Sequence, residues 1–200
     1  MELNPLTALS PIDGRYARQT DALRDIFSEC AFMNARVRVE VEWLISLSEA
    51  GFAELPHLSD HGKAFLRGLA DNFSLADCEA IKEIEKTTNH DVKAVEYWIK
   101  NQVAHDEELK SASEFVHFSC TSEDINNTSH AIMLKRGREA LADYLQQIHD
   151  TIAGFAHQWA EIPMLSRTHG QTASPTTVGK EFANVAVRLE RVIEAIRAVK

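Results

Sequence analysis

An all-α fold is what this sequence predicts, and three observations carry that expectation. Apolar residues recur at steps of three and four through long stretches, as on the buried side of a helix. Alternation of β-branched with polar residues, the mark of a half-buried strand, is scarce. The breaks between apolar stretches are short and rich in hydroxyl residues, glycine or proline. Residues 1–110 read as a small helical N-terminal domain. Residues 111–200 read as the beginning of a long-helix bundle domain, truncated at its C-terminus.

Composition narrows the class. The 200 residues are 44% hydrophobic and 26% charged, enough for one substantial core. A net charge of -9 argues against a nucleic-acid surface, which wants clustered lysine and arginine. Cys30, Cys78 and Cys120 are far apart and odd in number, which fits reduced, mostly buried thiols in a cytoplasmic protein. Acidic Glu2 and the lack of a long apolar run near it leave no visible secretory signal. No stretch reaches the apolar length of a membrane span.

Taken in order, residues 1–20 are an irregular lead-in. Pro11 and Asp13-Gly14 carry turn chemistry there, and Arg15 and Tyr16 set a guanidinium fork beside a phenol. That pair suits a phosphate or carboxylate, although an incidental arginine in a leader fits the same residues. The first helix is expected from about Asp21 to Ala50, striped by Ile26, Cys30, Met33, Val37, Val41, Leu44 and Ser48. Arg36, Glu40 and Glu42 fall off that stripe and read as a solvated face, while Trp43 reads as packing. A shorter helix follows from Ser59 to Ala70, and Ser74 to Asp77 signals the start of another.

The segment Thr87 to Asp91 interrupts the period. Asp91 can cap a helix bearing Val92, Val95, Tyr97 and Ile99. His90 and Lys93 then lie near a helix N-terminus, where unpaired N–H groups favour an anion, and a plain polar turn explains the segment as well. Ser111 and Glu114 match a capping box. Phe115, Val116 and Phe118 are core candidates, and His117 between them reads as structural. Thr121 and Ser122 precede a long pattern from about Glu123 to Glu161, as caps, as a carboxylate site, or as both.

From Pro163 to Lys180 the apolar period stops. This stretch reads as a loop in which Gly170 turns the chain and Pro175 suits the first turn of the next helix. His169 sits among its hydroxyls, either as a chemical group or as part of an ordinary connection. Val178 to Ile196 then restarts the helical period, which runs on to Lys200 without a stop signal, as though the chain ended inside a helix.

Four segments together carry a resemblance. They are Ser10 to Tyr16, Thr88 to Tyr97, Thr121 to Asn127, and Arg167 to Gln171, in that order and spacing. The chain resembles the N-terminal part of the bacterial adenylosuccinate lyases, in the fumarase/aspartase superfamily. That resemblance implies β-elimination of fumarate from adenylosuccinate to give AMP, and from SAICAR to give AICAR, with neither metal nor redox cofactor. It implies a cytoplasmic homotetramer of long helices whose sites draw on three subunits.

By the same resemblance His169 takes the place of the general acid, and His90 that of a second active-site histidine. Arg15 and Tyr16 match a nucleotide-binding pair, and Thr121 and Ser122 match contacts to the succinyl part. Asn89, Lys93 and Gln171 are further substrate contacts, with Asp91 among them but mainly a cap. The loop whose serine serves the family as general base has no match here, so the fragment alone is expected to be inactive. His90, His169 and the Thr121–Ser122 pair are expected to converge only when at least two chains assemble. Other readings are a related fumarate-releasing enzyme such as argininosuccinate lyase, or a noncatalytic helical oligomerisation module. The Ser10 to Tyr16 and Thr88 to Tyr97 segments favour the purine enzyme, and the polar clusters at the helix breaks speak against the bare module.

Overall fold

The computed structural model describes residues 4, 6–55 and 57–199. Glu2 and Lys200, both named above, lie outside them. The chain folds as two compact units, Met1–Leu134 and Lys135–Lys200, divided within a single long helix.

In the first unit a short turn leads into α1 (Arg24–Phe27), followed by α2 (Glu29–Glu49). The sequence predicted one helix here, but Ser28 turns extended, with ψ at 163°. Its hydroxyl then caps α2 by accepting from the Ala31 N–H at 3.1 Å. Next come α3 (Asp60–Asp71), capped by Ser59, and α4 (Leu75–Thr88), where Ser74 and Asp77 pair as expected. α5 (Asp91–Val103), α6 (Glu107–Ala112) and the first part of the long α7 (Ser122–Gln158) complete it. The cap of α6 is Asp106, which accepts from Leu109 N–H at 2.9 Å, rather than Ser111. Ser111 lies inside the helix and donates to the Glu108 carbonyl.

The core gathers Met33, Val37, Val41 and Leu44 of α2 with Leu66, Ile81, Val95, Trp98, Ile99 and Val103. That stripe is as the period predicts. Phe118 and Tyr97, in contrast, are 45% exposed. The larger correction concerns Arg36 and Glu40, read above as solvated and in fact 5% and 0% exposed. α2 is packed on more than one side, so residues off its main stripe are covered too.

The cysteines are a second correction. Cys30 and Cys78 are joined by a disulfide, with Cα atoms 5.7 Å apart, between the start of α2 and the start of α4. Only Cys120 is a free thiol. Two helices brought alongside each other 48 residues apart leave no spacing signal that a sequence count could find.

In the second unit, the expected loop is a β-hairpin. β1 (Pro163–Thr168) and β2 (Gln171–Thr177) pair antiparallel and lead into α8 (Val178–Ala198). His169 and Gly170 make the two-residue turn with φ of 50° and 72°, the backbone that matches the twist of hairpin strands. Pro175 stands in β2 opposite Leu165, beside a bulge, instead of in the helix. A two-stranded ribbon has only edge strands, so proline is tolerated there.

Phe155, Trp159 and Phe182 cluster where the end of α7 meets α8, with ring centroids 4.8–5.6 Å apart. Gly179 makes the closest approach: a Cβ there would come within 2.3 Å of the Ala156 carbonyl oxygen and 2.5 Å of Ala160 Cα. Both are backbone atoms, so the end of α7 and the start of α8 must separate to admit a methyl. Gly179→Ala is expected to cost about 1–3 kcal/mol, lowering Tm by roughly 2–10 °C. A thermal melt within 1 °C of wild type, on the order of measurement error, would contradict that close approach.

Candidate active site

Two helix starts in the first unit meet at the residues that the sequence singled out. α4 ends at Asn89 in the left-handed conformation, φ 52°, which asparagine tolerates better than most residues. That turn sets His90, and not Asp91, as the cap of α5. His90 Nδ1 accepts from the Lys93 N–H at 3.2 Å. With its lone pair so engaged, a neutral His90 carries its proton on Nε2. Nε2 faces the hydroxyl of Ser122, the first residue of α7, at 3.4 Å.

Asp91 bonds elsewhere. Its Oδ1 accepts from Val92 N–H at 2.9 Å, and its Oδ2 pairs with Arg36 Nη2 at 2.6 Å. Burial works against its charge, but the Arg36 guanidinium and the Val92 N–H outweigh that, so its carboxyl is held below the usual range. Arg36 Nε also donates to Asn126 Oδ1 at 2.9 Å. Thr121 donates its N–H and its hydroxyl to Asp124 Oδ2, at 2.7 and 2.8 Å, and both bonds favour the ionised Asp124. Ser122 is therefore the hydroxyl that faces the histidine. Lys93 Nζ contacts Glu96 at 2.5 Å, which keeps the ammonium charged.

His90, Asn89 and Asp91 line a cavity of about 370 Å³ together with Phe32, Met33, Arg36 and Glu85. Glu29 lines it too, so three carboxylates stand around the one guanidinium there, which is already paired with Asp91. Arg15 and Tyr16 lie in the exposed lead-in, the guanidinium 4.9 Å from the ring centroid. Among the described residues no hydrogen bond ties their side chains to the His90 group. His169 and Gln171, both exposed, belong to the second unit, at the turn and at the start of β2.

One expectation is corrected by this geometry. Of the groups expected to converge only between chains, His90 and Ser122 meet within one chain, because α5 and α7 start side by side. Sequence reading also missed Arg36, Asn126 and Glu40. The local pattern does not mark them, since Val37, Val39 and Val41 flank Arg38 and Glu42 just as they flank Arg36 and Glu40, and those two side chains stay 38% and 42% exposed. Among the described residues no group of three or more histidine, cysteine, aspartate or glutamate side chains is arranged to hold a metal. No helix among them is long and apolar enough to cross a membrane.

Helices of this arrangement recur in solved structures. A fumarate lyase from Mesorhizobium sp. BNC1 superposes with a TM-score of 0.71 over 88% of this chain and 39% of its own, at 19% identity. A 3-carboxy-cis,cis-muconate lactonizing enzyme from Pseudomonas putida does so at 0.69 over the same shares, at 21% identity. At those identities the likeness concerns the fold. Residues 14–200 match the family described as lyase, and the chain belongs to that family. Within it, the chain is 53% identical over its whole length to the adenylosuccinate lyase of Vibrio cholerae and 52% identical to that of Escherichia coli. It spans 44% of the length of each.

The Arg36–Asp91 pair generates a pH-dependent prediction. A carboxyl whose pKa is lowered by folding stabilises the fold above its unfolded pKa, and that contribution is lost as pH falls through the folded value. Asp91 is half exposed, so the pair is expected to contribute only about 1–2 kcal/mol. Asp91→Asn should therefore lower Tm by roughly 2–8 °C at neutral pH. The gap should close as pH is taken below the carboxylate range, and a gap independent of pH would rule the pairing out.

Proposed function

We propose that this chain works as part of an adenylosuccinate lyase, cleaving adenylosuccinate to AMP and fumarate and SAICAR to AICAR and fumarate. The observation that carries this reading is the similarity to bacterial adenylosuccinate lyases, which runs through all four polar segments. In the reaction a base takes a proton from the succinyl carbon, the electron pair forms the C=C bond of fumarate, and the C–N bond electrons leave on the purine nitrogen. An acid protonates that nitrogen. Protons and electrons balance within the substrate, the base and the acid.

In this reading His169 is the acid. His90, with Asn89, Asp91 and Lys93, orients the substrate, and Thr121 and Ser122 hold its carboxylates at the start of α7. Arg15 and Tyr16 grip the nucleotide phosphate, and Gln171 makes a further contact. The base comes from residues other than these. Residues 1–110 form the smaller domain, and 111–200 begin the bundle. Leu141, Tyr144 and Ile148 of α7 are about half exposed, and a homotetramer would cover such an apolar side. We assign the protein to the cytoplasm, where purine nucleotides are made; the Cys30–Cys78 bond is the feature that fits this assignment least well.

The test is fumarate release from adenylosuccinate by the full-length protein and by residues 1–200 alone. Release is expected from the first and not from the second. His169→Asn, which keeps a left-handed turn but cannot act as an acid, should lower single-turnover release about 10²- to 10⁴-fold at matched substrate occupancy. No release by the full-length protein would overturn the lyase reading. Near-normal turnover by His169→Asn would remove His169 from the acid role alone.

A further inference from the structure

Arg36 and Glu40 lie one turn apart on α2, buried, and neither pairs with the other. Taking a guanidinium and a carboxylate out of water is costly on the scale of what a small domain has to spare. Apolar residues of similar size would avoid that cost. What the two charges do has to be read from where they reach.

Arg36 reaches two helix starts. Nη2 holds Asp91, the first residue of α5, and Nε holds Asn126, in the first turns of α7. Its Cζ sits over the Phe32 ring, 3.9 Å from the centroid, which leaves the fork little freedom. A planar fork with donors on two edges can bridge two acceptors at fixed spacing, which a lysine ammonium cannot. The two starts so bridged carry His90 and Ser122.

Glu40 reaches the turn that leads into α7. Its Oε1 lies 2.6 Å from His117 Nδ1. His117 and Ser119 both have left-handed backbones, φ 64° and 60°, a conformation that non-glycine residues keep only where surroundings hold it. Trp43 Nε1, donating to the Phe118 carbonyl at 2.9 Å, is the second hold on this turn. Burial pushes the Glu40 carboxyl up, His117 draws it down and Glu96 pushes it up again. Its other oxygen, Oε2, is buried with no hydrogen-bond partner among the described residues. A carboxylate kept in such a place for packing alone would be a poor choice.

We infer that Arg36 and Glu40 are positioning residues: Arg36 sets the spacing of the α5 and α7 starts, and Glu40, through His117, holds the turn that delivers Thr121 and Ser122. The inference rests on the lyase reading for what the site does, and on the geometry for what holds it.

The experiment compares wild type, Glu40→Leu, Glu40→Gln and Arg36→Lys in the full-length protein. It reads thermal stability, amide hydrogen exchange over residues 116–122, and kcat and KM with adenylosuccinate. Glu40→Leu fills the volume but leaves His117 Nδ1 without its partner, so Tm should fall. Exchange should quicken most over 116–122, and kcat/KM should fall about 10- to 100-fold. Glu40→Gln, whose amide oxygen still accepts from His117, should recover most of both losses. Arg36→Lys should quicken exchange at the starts of α5 and α7 and lower kcat/KM while keeping the charge.

Unchanged exchange in a folded Glu40→Leu would overturn the role of Glu40. Faster exchange with wild-type turnover would overturn it equally. If Glu40→Leu does not fold, Glu40→Gln decides, and exchange and turnover both far from wild type there would sink the acceptor role. If the wild type releases no fumarate, the lyase reading falls by itself, and the exchange measurements still judge whether Glu40 holds the turn.

Discussion

The buried guanidinium of Arg36 is the constraint on which the arrangement of the first unit depends. It ties Asp91 to Asn126, and so ties together two helices that start 31 residues apart in the chain. Without that bridge, His90 capping α5 and Ser122 opening α7 would have no common reference. α2 supplies the reference because it lies within the core, with apolar contacts along Val37, Val41 and Leu44 that fix where Arg36 and Glu40 point. The site is thus built on a rigid central helix that contributes no residue expected to touch substrate.

Much of this was legible in the chain. The apolar stripes located the helices, because burial is periodic wherever a helix has one covered side. The polar clusters located the helix starts, since caps and anion sites draw on the same side chains. Arg36 and Glu40 were misread for the reason that makes them useful: charge ordinarily means solvent, and a periodicity argument cannot tell a solvated charge from one paired across the fold. Asn126 stood inside a recognised segment without its partner being visible. The meeting of His90 with Ser122 was placed between chains because distances along helices add up, whereas α5 and α7 begin next to each other. Cys30 and Cys78 failed similarly, as a contact between helices with no local trace.

The hairpin is a different kind of miss. Its strands are short, exposed and poor in β-branched apolar residues, and a proline lies within one of them. A pattern search tuned to half-buried strands passes over such a ribbon. What could have found it is the His169-Gly170 pair itself, flanked by Thr168 and Gln171, since two residues with positive φ are what the tightest hairpin turn requires.

That turn also limits how the segment can change. Loop tips are ordinarily where chains absorb inserted residues most easily. Here a single added residue would shift the pairing of β2 by one, and side chains in a strand alternate faces, so Gln171 and its neighbours would swap sides. The displacement would carry on to Thr177, whose hydroxyl caps α8 by accepting from Lys180 N–H, and to Gly179, which has no room to move against the end of α7. Away from its turn and from His169 and Gln171, this stretch should accordingly bear a change of residue type better than a change of length.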